Sequence, residues 1–243
     1  MIMKKAIVIG ASSGLGNEVA RLLLQQGWAL GVAARRQEPL EQLRVIAPAR
    51  VHVQVMDVTS EDATARLQHL IGEVGGMDLF FYASGVGSHN MELEPSVELG
   101  TVATNGLGFT RMIGEAFRYM ASHGGGHIAA ISSIAGTKGL GAAPSYSATK
   151  AFQGIYLQAL EQQAHMRGLN ITFTDLRPGF VATPLLGDSP KYPMLLTTQE
   201  VARHMVRAVD ARRHVWVIDW RWRIVTALWR RVPRWLWRRL KVK

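Results

Sequence analysis

Short apolar runs alternate with amphipathic stretches along most of this chain. Lys4 to Ile9 is an apolar run of strand length. It ends in the turn Gly10-Ala11-Ser12-Ser13-Gly14-Leu15-Gly16. Val19, Ala20, Leu22, Leu23 and Leu24 then recur at helical spacing until Gly27 stops the helix. Trp28 to Ala34, Val51 to Met56, Asp78 to Ala83, His127 to Ser132, Asn170 to Asp175 and His214 to Ile218 read as further strands. Helices are expected over Glu61 to Val74 (capped by Thr59 or Ser60), about Pro95 to Ala121, Tyr146 to about Arg167, and Glu200 to Ala211. Leu185 to Thr198 has two prolines, a glycine and no clear period, and reads as a mobile loop. Strands alternating with helices predict a doubly wound, mainly parallel α/β sheet of about seven strands, covered on both faces.

Three joints between these elements carry chemistry. A strand, a glycine turn and a helix present backbone N–H groups and a helix N-terminus to a pyrophosphate. Here the glycines Gly10, Gly14 and Gly16 stand at G-x-x-x-G-x-G, which differs from the G-x-G-x-x-G dinucleotide fingerprint. The second strand ends in Ala34-Arg35-Arg36. In a dinucleotide fold an acid at that place binds ribose hydroxyls, whereas two guanidiniums favour a 2′-phosphate, so the electrostatics point to NADP(H) over NAD(H); the alternative is a solvated arginine pair opening the next helix. At the third joint Ser133 leads into Tyr146-Ser147-Ala148-Thr149-Lys150. Tyr146 and Lys150 share a helix face, and an ammonium beside a phenol lowers its pKa from about 10. A tyrosine tuned that way exchanges a proton with an alcohol or a carbonyl oxygen. Any helix start can carry a Tyr and a Lys, and alone the pair is more often structural than catalytic. Ser84-Gly85-Val86-Gly87 is a turn of small residues open to a flat ligand, and Asn105, inside a helical stretch, is either solvent-facing or engaged with a partner.

Composition changes this picture little until the C-terminus. The 243 residues are 48% hydrophobic and 19% charged, as in an ordinary globular enzyme. There are no cysteines, which excludes disulfides and thiolate metal sites and is compatible with the cytoplasm. No stretch reads as a signal peptide or reaches the ~20 apolar residues of a membrane span. The eight histidines show no metal-ligand spacing, and only His89 stands near the expected mouth of the site. The charge of +10 is uneven: Asp210 to Lys243 holds eleven Lys/Arg against two acids, a balance of +9, and six of the seven tryptophans. From Trp220, apolar residues recur at three- and four-residue steps with arginines on the other side and a kink or restart at Pro233. That order describes a helix lying in a membrane surface. The alternatives are packing on the body or on another subunit, and nucleic acid, which tryptophan and arginine also serve. The chain thus divides into one domain over residues 1–218 and a basic amphipathic extension over 219–243.

Gly10-x3-Gly14-x-Gly16, Asp57, Ala83-Ser84-Gly85, Asn105, Ser133, Tyr146-x3-Lys150 and Pro178-Gly179-x-Val181-x-Thr183 follow one another in the order and spacing of a known family. Over about residues 4 to 218 the chain resembles the short-chain dehydrogenases/reductases. The resemblance implies a Rossmann-type fold, hydride transfer with a nicotinamide cofactor, and dimers or tetramers built through two long helices. It makes Tyr146 the general acid or base, Ser133 its partner on the substrate oxygen, and Lys150 the residue that holds the nicotinamide ribose and lowers the Tyr146 pKa. Asn105 would hold a relay water behind Lys150. Gly10 to Gly16 would meet the pyrophosphate, Arg35 and Arg36 the 2′-phosphate, Asp57 and Val58 the adenine, and Val181 and Thr183 the carboxamide. Two departures, Ile9 before the first glycine in place of Thr and Tyr82-Ala83-Ser84-Gly85 in place of Asn-Asn-Ala-Gly, touch the support of the turns.

The expected activity is NADP(H)-dependent interconversion of a lipophilic carbonyl and its alcohol. The rival from another class is a non-catalytic NADP(H)-binding sensor or scaffold carried to a membrane by the tail, which has no need of the Tyr146–Lys150 pair.

Overall fold

The computed structural model describes residues 3–183, 186 and 192–242. Seven strands, β1 (Lys5–Ile9), β2 (Ala29–Ala34), β3 (Val51–Val55), β4 (Leu79–Tyr82), β5 (Gly126–Ile131), β6 (Ile171–Arg177) and β7 (Val215–Val217), form one parallel sheet in the order β3-β2-β1-β4-β5-β6-β7. The chain winds outward from β1 to β3, then returns to lay β4 against the other side of β1. The connections leaving β1 and β4 therefore diverge, opening a crevice at the carboxyl ends of the strands.

Strand alternation feeds two cores. Ala6 and Val8 of β1 and Leu79 and Phe81 of β4 face the helices α1 (Gly14–Gln25), α2 (Gln37–Ile46) and α7 (Thr198–Asp210), through Leu23, Leu40, Leu43 and Met205. Ile7, Ile9, Phe80 and Tyr82 face α3 (Ala63–Val74), α5 (Phe109–Ser122) and α6 (Pro144–Met166), through Leu67, Leu70, Phe109, Ile113 and Leu157. Phe80 and Phe81, adjacent in sequence, are both fully buried on opposite faces, each stabilising the fold by roughly 1.5–3 kcal/mol.

Three local expectations change. The stretch expected as one helix from Pro95 is α4 (Pro95–Val102), then a π-helical segment Ala103–Gly108, then α5. The helix expected from Glu61 begins at Ala63. Ser60 spends its hydroxyl on the Asp57 carbonyl and on Asp62, and Thr59 hydrogen-bonds the Asp57 carboxylate, so neither caps α3. Of the loop expected over Leu185 to Thr198, residues 185 and 187–191 lie outside the described residues, as does 184. At its far end Leu196 bridges Val181, and Thr197 with Glu200 forms a capping box that starts α7.

The C-terminal segment is helical, in two pieces, α8 (Trp220–Arg231) and α9 (Arg234–Trp237), parted at Pro233. Asp219 starts α8 by accepting the Arg221 N–H and pairing with the Arg221 guanidinium. The segment folds back over the carboxyl ends of the strands: Lys138 Nζ donates to the Val232 carbonyl at 2.9 Å, and Trp237 Nε1 donates to the Gly139 carbonyl at 2.8 Å.

Candidate active site

A cleft of about 1070 Å³ lies along the carboxyl ends of β1, β4, β5 and β6. Every residue singled out from the sequence for catalysis or cofactor contact lines it, except Asn105, which lies fully buried behind it. At one end is the glycine turn. A Cβ on Gly16 would sit 2.3 Å from the Gly10 carbonyl oxygen, so α1 packs directly against the turn. Ser13 precedes α1 without hydrogen-bonding its first turn through its side chain, which leaves the helix N-terminus open to an anion. Arg35 and Arg36 are exposed on the same rim, with Arg36 reaching Ser12 at 3.3 Å. Asp57 is held below its usual pKa: burial raises it, but the Thr59 N–H and hydroxyl and the nearby Arg35 together outweigh burial.

At the other end Ser133, Tyr146 and Lys150 converge. The Ser133 oxygen accepts the Ala135 N–H at 3.1 Å, and its O–H is directed into the cleft toward the Tyr146 hydroxyl. Lys150 comes from the turn of α6 after Tyr146, with its Nζ 5.7 Å from the centre of the phenol ring. The ammonium donates to the Ile131 carbonyl and to Gln153 Oε1, each at 3.0 Å. One of its three N–H groups is thus free for a ligand among the described residues. Ser132 instead turns its hydroxyl to the buried carboxylate of Asp175, which also pairs with Arg177.

The electrostatics correct one expectation. Tyr146 has its pKa raised, not lowered: burial raises it, and the Ser133 hydroxyl only partly opposes this. Burial also drives Lys150 down to about 8, against the pull of Asp175. The ammonium is aimed at carbonyl acceptors beside the ring rather than at the phenol oxygen, so it does not acidify Tyr146 in the resting protein. A neutral phenol is the form that gives a proton.

Asn105 sits in the π-helical segment, where the wide turn carries it inward. Its side chain accepts the Val86 N–H at 2.9 Å and donates to the Val86 carbonyl at 2.7 Å, and to Thr149 at 3.2 Å. Its backbone carbonyl accepts from Gln153 Nε2 at 2.9 Å. The Gln153 side-chain amide therefore links the Lys150 ammonium to the Asn105 carbonyl.

Sequence reasoning missed four residues here. Gln153 is fully buried and joins Lys150 to Asn105. Its position, three residues after Lys150 on one helix face, was the available signal. Gly87, noted only as part of a small-residue turn, packs on the catalytic candidate itself: a Cβ there would meet the Tyr146 ring at 2.2 Å. Trp222 and Trp229 line the cleft from α8, and Trp222 lies on Gly179 so closely that a Cβ would approach its Nε1 to 2.2 Å. No local pattern ties Gly179 to a residue so far along the chain.

The arrangement fits a dinucleotide laid from the glycine turn to Tyr146, with the free Lys150 N–H at its ribose end. Comparison with known proteins agrees. A family model described as short chain dehydrogenase matches residues 4–193. An uncharacterized oxidoreductase of Myxococcus xanthus (strain DK1622) is 33% identical over 216 residues, covering 86% of this chain and 85% of that protein. Among solved structures, one of ElxO with NADP bound superposes with a TM-score of 0.79 at 22% identity, over 90% of this chain and 98% of the other. An alcohol dehydrogenase from the archaeon Thermococcus sibiricus, complexed with 5-hydroxy-NADP, gives a TM-score of 0.77 at 22% identity over 89% and 96%. Fold, cleft and sequence together make this chain a member of the short-chain dehydrogenase family, an oxidoreductase acting between CH–OH and C=O with a nicotinamide cofactor.

Proposed function

We propose that the protein is an NADP(H)-dependent carbonyl reductase, or the reverse alcohol dehydrogenase, acting on a lipophilic substrate. The observation that carries this is the convergence of the Tyr146 phenol, the Ser133 hydroxyl and the Lys150 ammonium at one end of a cleft whose other end is a glycine turn flanked by two arginines. When bound, the nicotinamide supplies or accepts the hydride. Ser133 donates a hydrogen bond to the substrate oxygen and holds the carbonyl carbon toward the nicotinamide. Tyr146, kept neutral by burial, gives that oxygen its proton in reduction and takes it back in oxidation. The free N–H of Lys150 holds the ribose hydroxyls.

Gly10, Ser12, Ser13, Gly14, Leu15 and Gly16 cradle the pyrophosphate. Arg35 and Arg36 take the 2′-phosphate, and Asp57 with Val58 lies at the adenine. Ala83, Ser84 and Gly85 floor the middle of the site, while Pro178, Gly179, Val181 and Thr183 line the nicotinamide end. The NADP-type preference rests on the absence of an acid at the end of β2 and draws support from the NADP and 5-hydroxy-NADP of the two solved structures.

A lipophilic substrate is supported by Leu140, Phe180, Tyr192, Trp222 and Trp229, which line the same cleft as Tyr146. A homo-oligomer is supported by exposed Leu99, Val102, Leu107, Phe152 and Ile155 on α4 to α6. The basic tail supports peripheral membrane association, and no helix of the described residues is long and apolar enough to cross a membrane. Steady-state turnover of ketones and aldehydes of increasing chain length with NADPH tests the activity. Turnover that survives unchanged in Tyr146→Phe removes the mechanism.

A further inference from the structure

Helix α8 has two apolar faces with different surroundings. Its inward face is part of the site. Trp222 is 3% exposed against Gly179, Phe180 meets Trp222 edge-on at 5.6 Å, and Trp229 meets Trp222 at 6.2 Å. Phe180 also stacks on Tyr192 at 4.6 Å, so an aromatic wall starts directly after the Pro178-Gly179 turn and continues through the tail. Trp229 passes the wall on to Trp237 at 5.4 Å, and Trp237 is tied to Gly139. The Trp222 indole N–H is buried with no hydrogen-bond partner among the described residues.

The outward face carries Trp220, Ile224 and Leu228 at four-residue steps, 66%, 53% and 59% exposed. Beyond Pro233, Trp235 and Leu240 are also exposed, 58% and 46%. The same segment carries exposed Arg230, Arg231, Arg234, Arg238, Arg239 and Lys241, and its one acid, Asp219, is already paired with Arg221. A second copy docking on this face by two-fold symmetry would set one cationic surface against the same cationic surface. An anionic bilayer complements both the charge and the apolar stripe.

We infer that the outward face of α8 and the residues after it seat on an anionic membrane surface, while the inward face walls the substrate end of the cleft. The substrate is then an apolar carbonyl or alcohol dissolved in the bilayer, entering the cleft beside α8. This deepens the reading given above and rests on it for the reaction.

The test uses the full chain, vesicles of phosphatidylcholine with and without phosphatidylglycerol, a long-chain ketone carried in the vesicles, and a short water-soluble ketone in buffer. The outer-face variant Trp220→Ser/Ile224→Ser/Leu228→Ser touches no residue of the cleft. Wild type is expected to sediment with the phosphatidylglycerol vesicles and to be released by salt. The outer-face variant is expected to stay in solution, to reduce the short ketone as wild type does, and to lose about tenfold or more in rate on the vesicle-borne ketone. Trp229→Ala is expected to keep vesicle binding and raise KM for the long ketone. Equal partitioning of wild type and the outer-face variant, or no binding by either, overturns the membrane surface. A variant that only turns a dimer into a monomer overturns it in favour of a second copy. An unchanged KM in Trp229→Ala overturns the wall. Wild type that binds vesicles yet turns over neither ketone overturns the reductase reading and the delivery step, while upholding the membrane surface.

Discussion

Gln153 accepts a hydrogen bond from Lys150 Nζ at 3.0 Å and donates one from its other amide atom to the Asn105 carbonyl at 2.9 Å. The second bond fixes the first: a flipped amide would set its NH₂ against the ammonium and its oxygen against a carbonyl. Gln153 thus holds the charge of Lys150 in place as well as the side chain. Lys150 faces Tyr146 on its own helix, Asn105 on the π-helical segment, and Asp175, paired with Arg177, on β6. A hydrogen bond to a buried charge contributes about 1.5–3 kcal/mol, or roughly one to two pKa units. Gln153→Leu removes that stabilisation from the protonated form. The Lys150 pKa, already about 8, is expected to fall further, and the basic limb of kcat/KM against pH to move to lower pH. Gln153→Glu is expected to move the same limb upward. A shift in one direction for both variants would show a purely structural role.

Tyr146→Phe keeps the ring against Gly87 and removes only the hydroxyl. Carbonyl reduction is expected to fall by about 10²–10⁴-fold, with NADPH affinity measured by fluorescence unchanged. Loss of both together would indicate a collapsed site.

Arg35 and Arg36 are exposed and near the glycine turn, so their removal disturbs little packing. Each charge-assisted contact with a phosphate contributes about 1.5–3 kcal/mol. Arg35→Ser/Arg36→Ser is therefore expected to weaken NADPH by at least about tenfold and leave NADH nearly unaffected, as read from fluorescence titration.

His127 is 7% exposed and hydrogen-bonded to Thr174 at 2.8 Å. Burial, with a contribution from Arg212, lowers its pKa from 6.5 to about 4. Between those values the unfolded chain binds a proton that the folded chain does not. Stability is therefore lost as pH falls from about 6.5 toward 4, by up to about 3 kcal/mol. His127→Gln is expected to flatten this part of the urea-midpoint curve relative to wild type. Parallel curves would count against the histidine.

Gly179→Ala sets a methyl group into the Trp222 indole, which is closed in by Phe180 and Trp229. Overpacking of this kind destabilises by about 1–3 kcal/mol. The expected result is faster proteolysis within the segment after Asp219 and a higher KM for apolar substrates, with the melting temperature of the body little changed.

The periodic parts of this molecule were legible in its sequence. Seven strands stand close to where short apolar runs end in glycine or polar turns, and the glycine turn, Ser133, Tyr146 and Lys150 fall around one cleft because each sits at the carboxyl end of a strand or at the start of a helix. What escaped were relations across the fold. Gln153 reads as one more polar helix residue until β5 and the π-helical segment close over it. The Tyr146 pKa depends on where the ammonium points, and spacing along a helix says only that Lys150 is near. The tail shows the same limit: its amphipathic order foretold two faces, but only the folded chain reveals that Trp222 and Trp229 turn inward to the cleft while Trp220, Ile224 and Leu228 stay outside.

The π-helical turn at Ala103–Gly108 holds one residue more than an α-helix needs there. Excising a single residue from it would join α4 and α5 into one straight rod with a better backbone register. Asn105 would swing by about a quarter turn or more, out of reach of Val86 and Gln153. The chain thereby carries a built-in conflict between rigidity and turnover: a deletion that hardens the scaffold is expected to silence the enzyme.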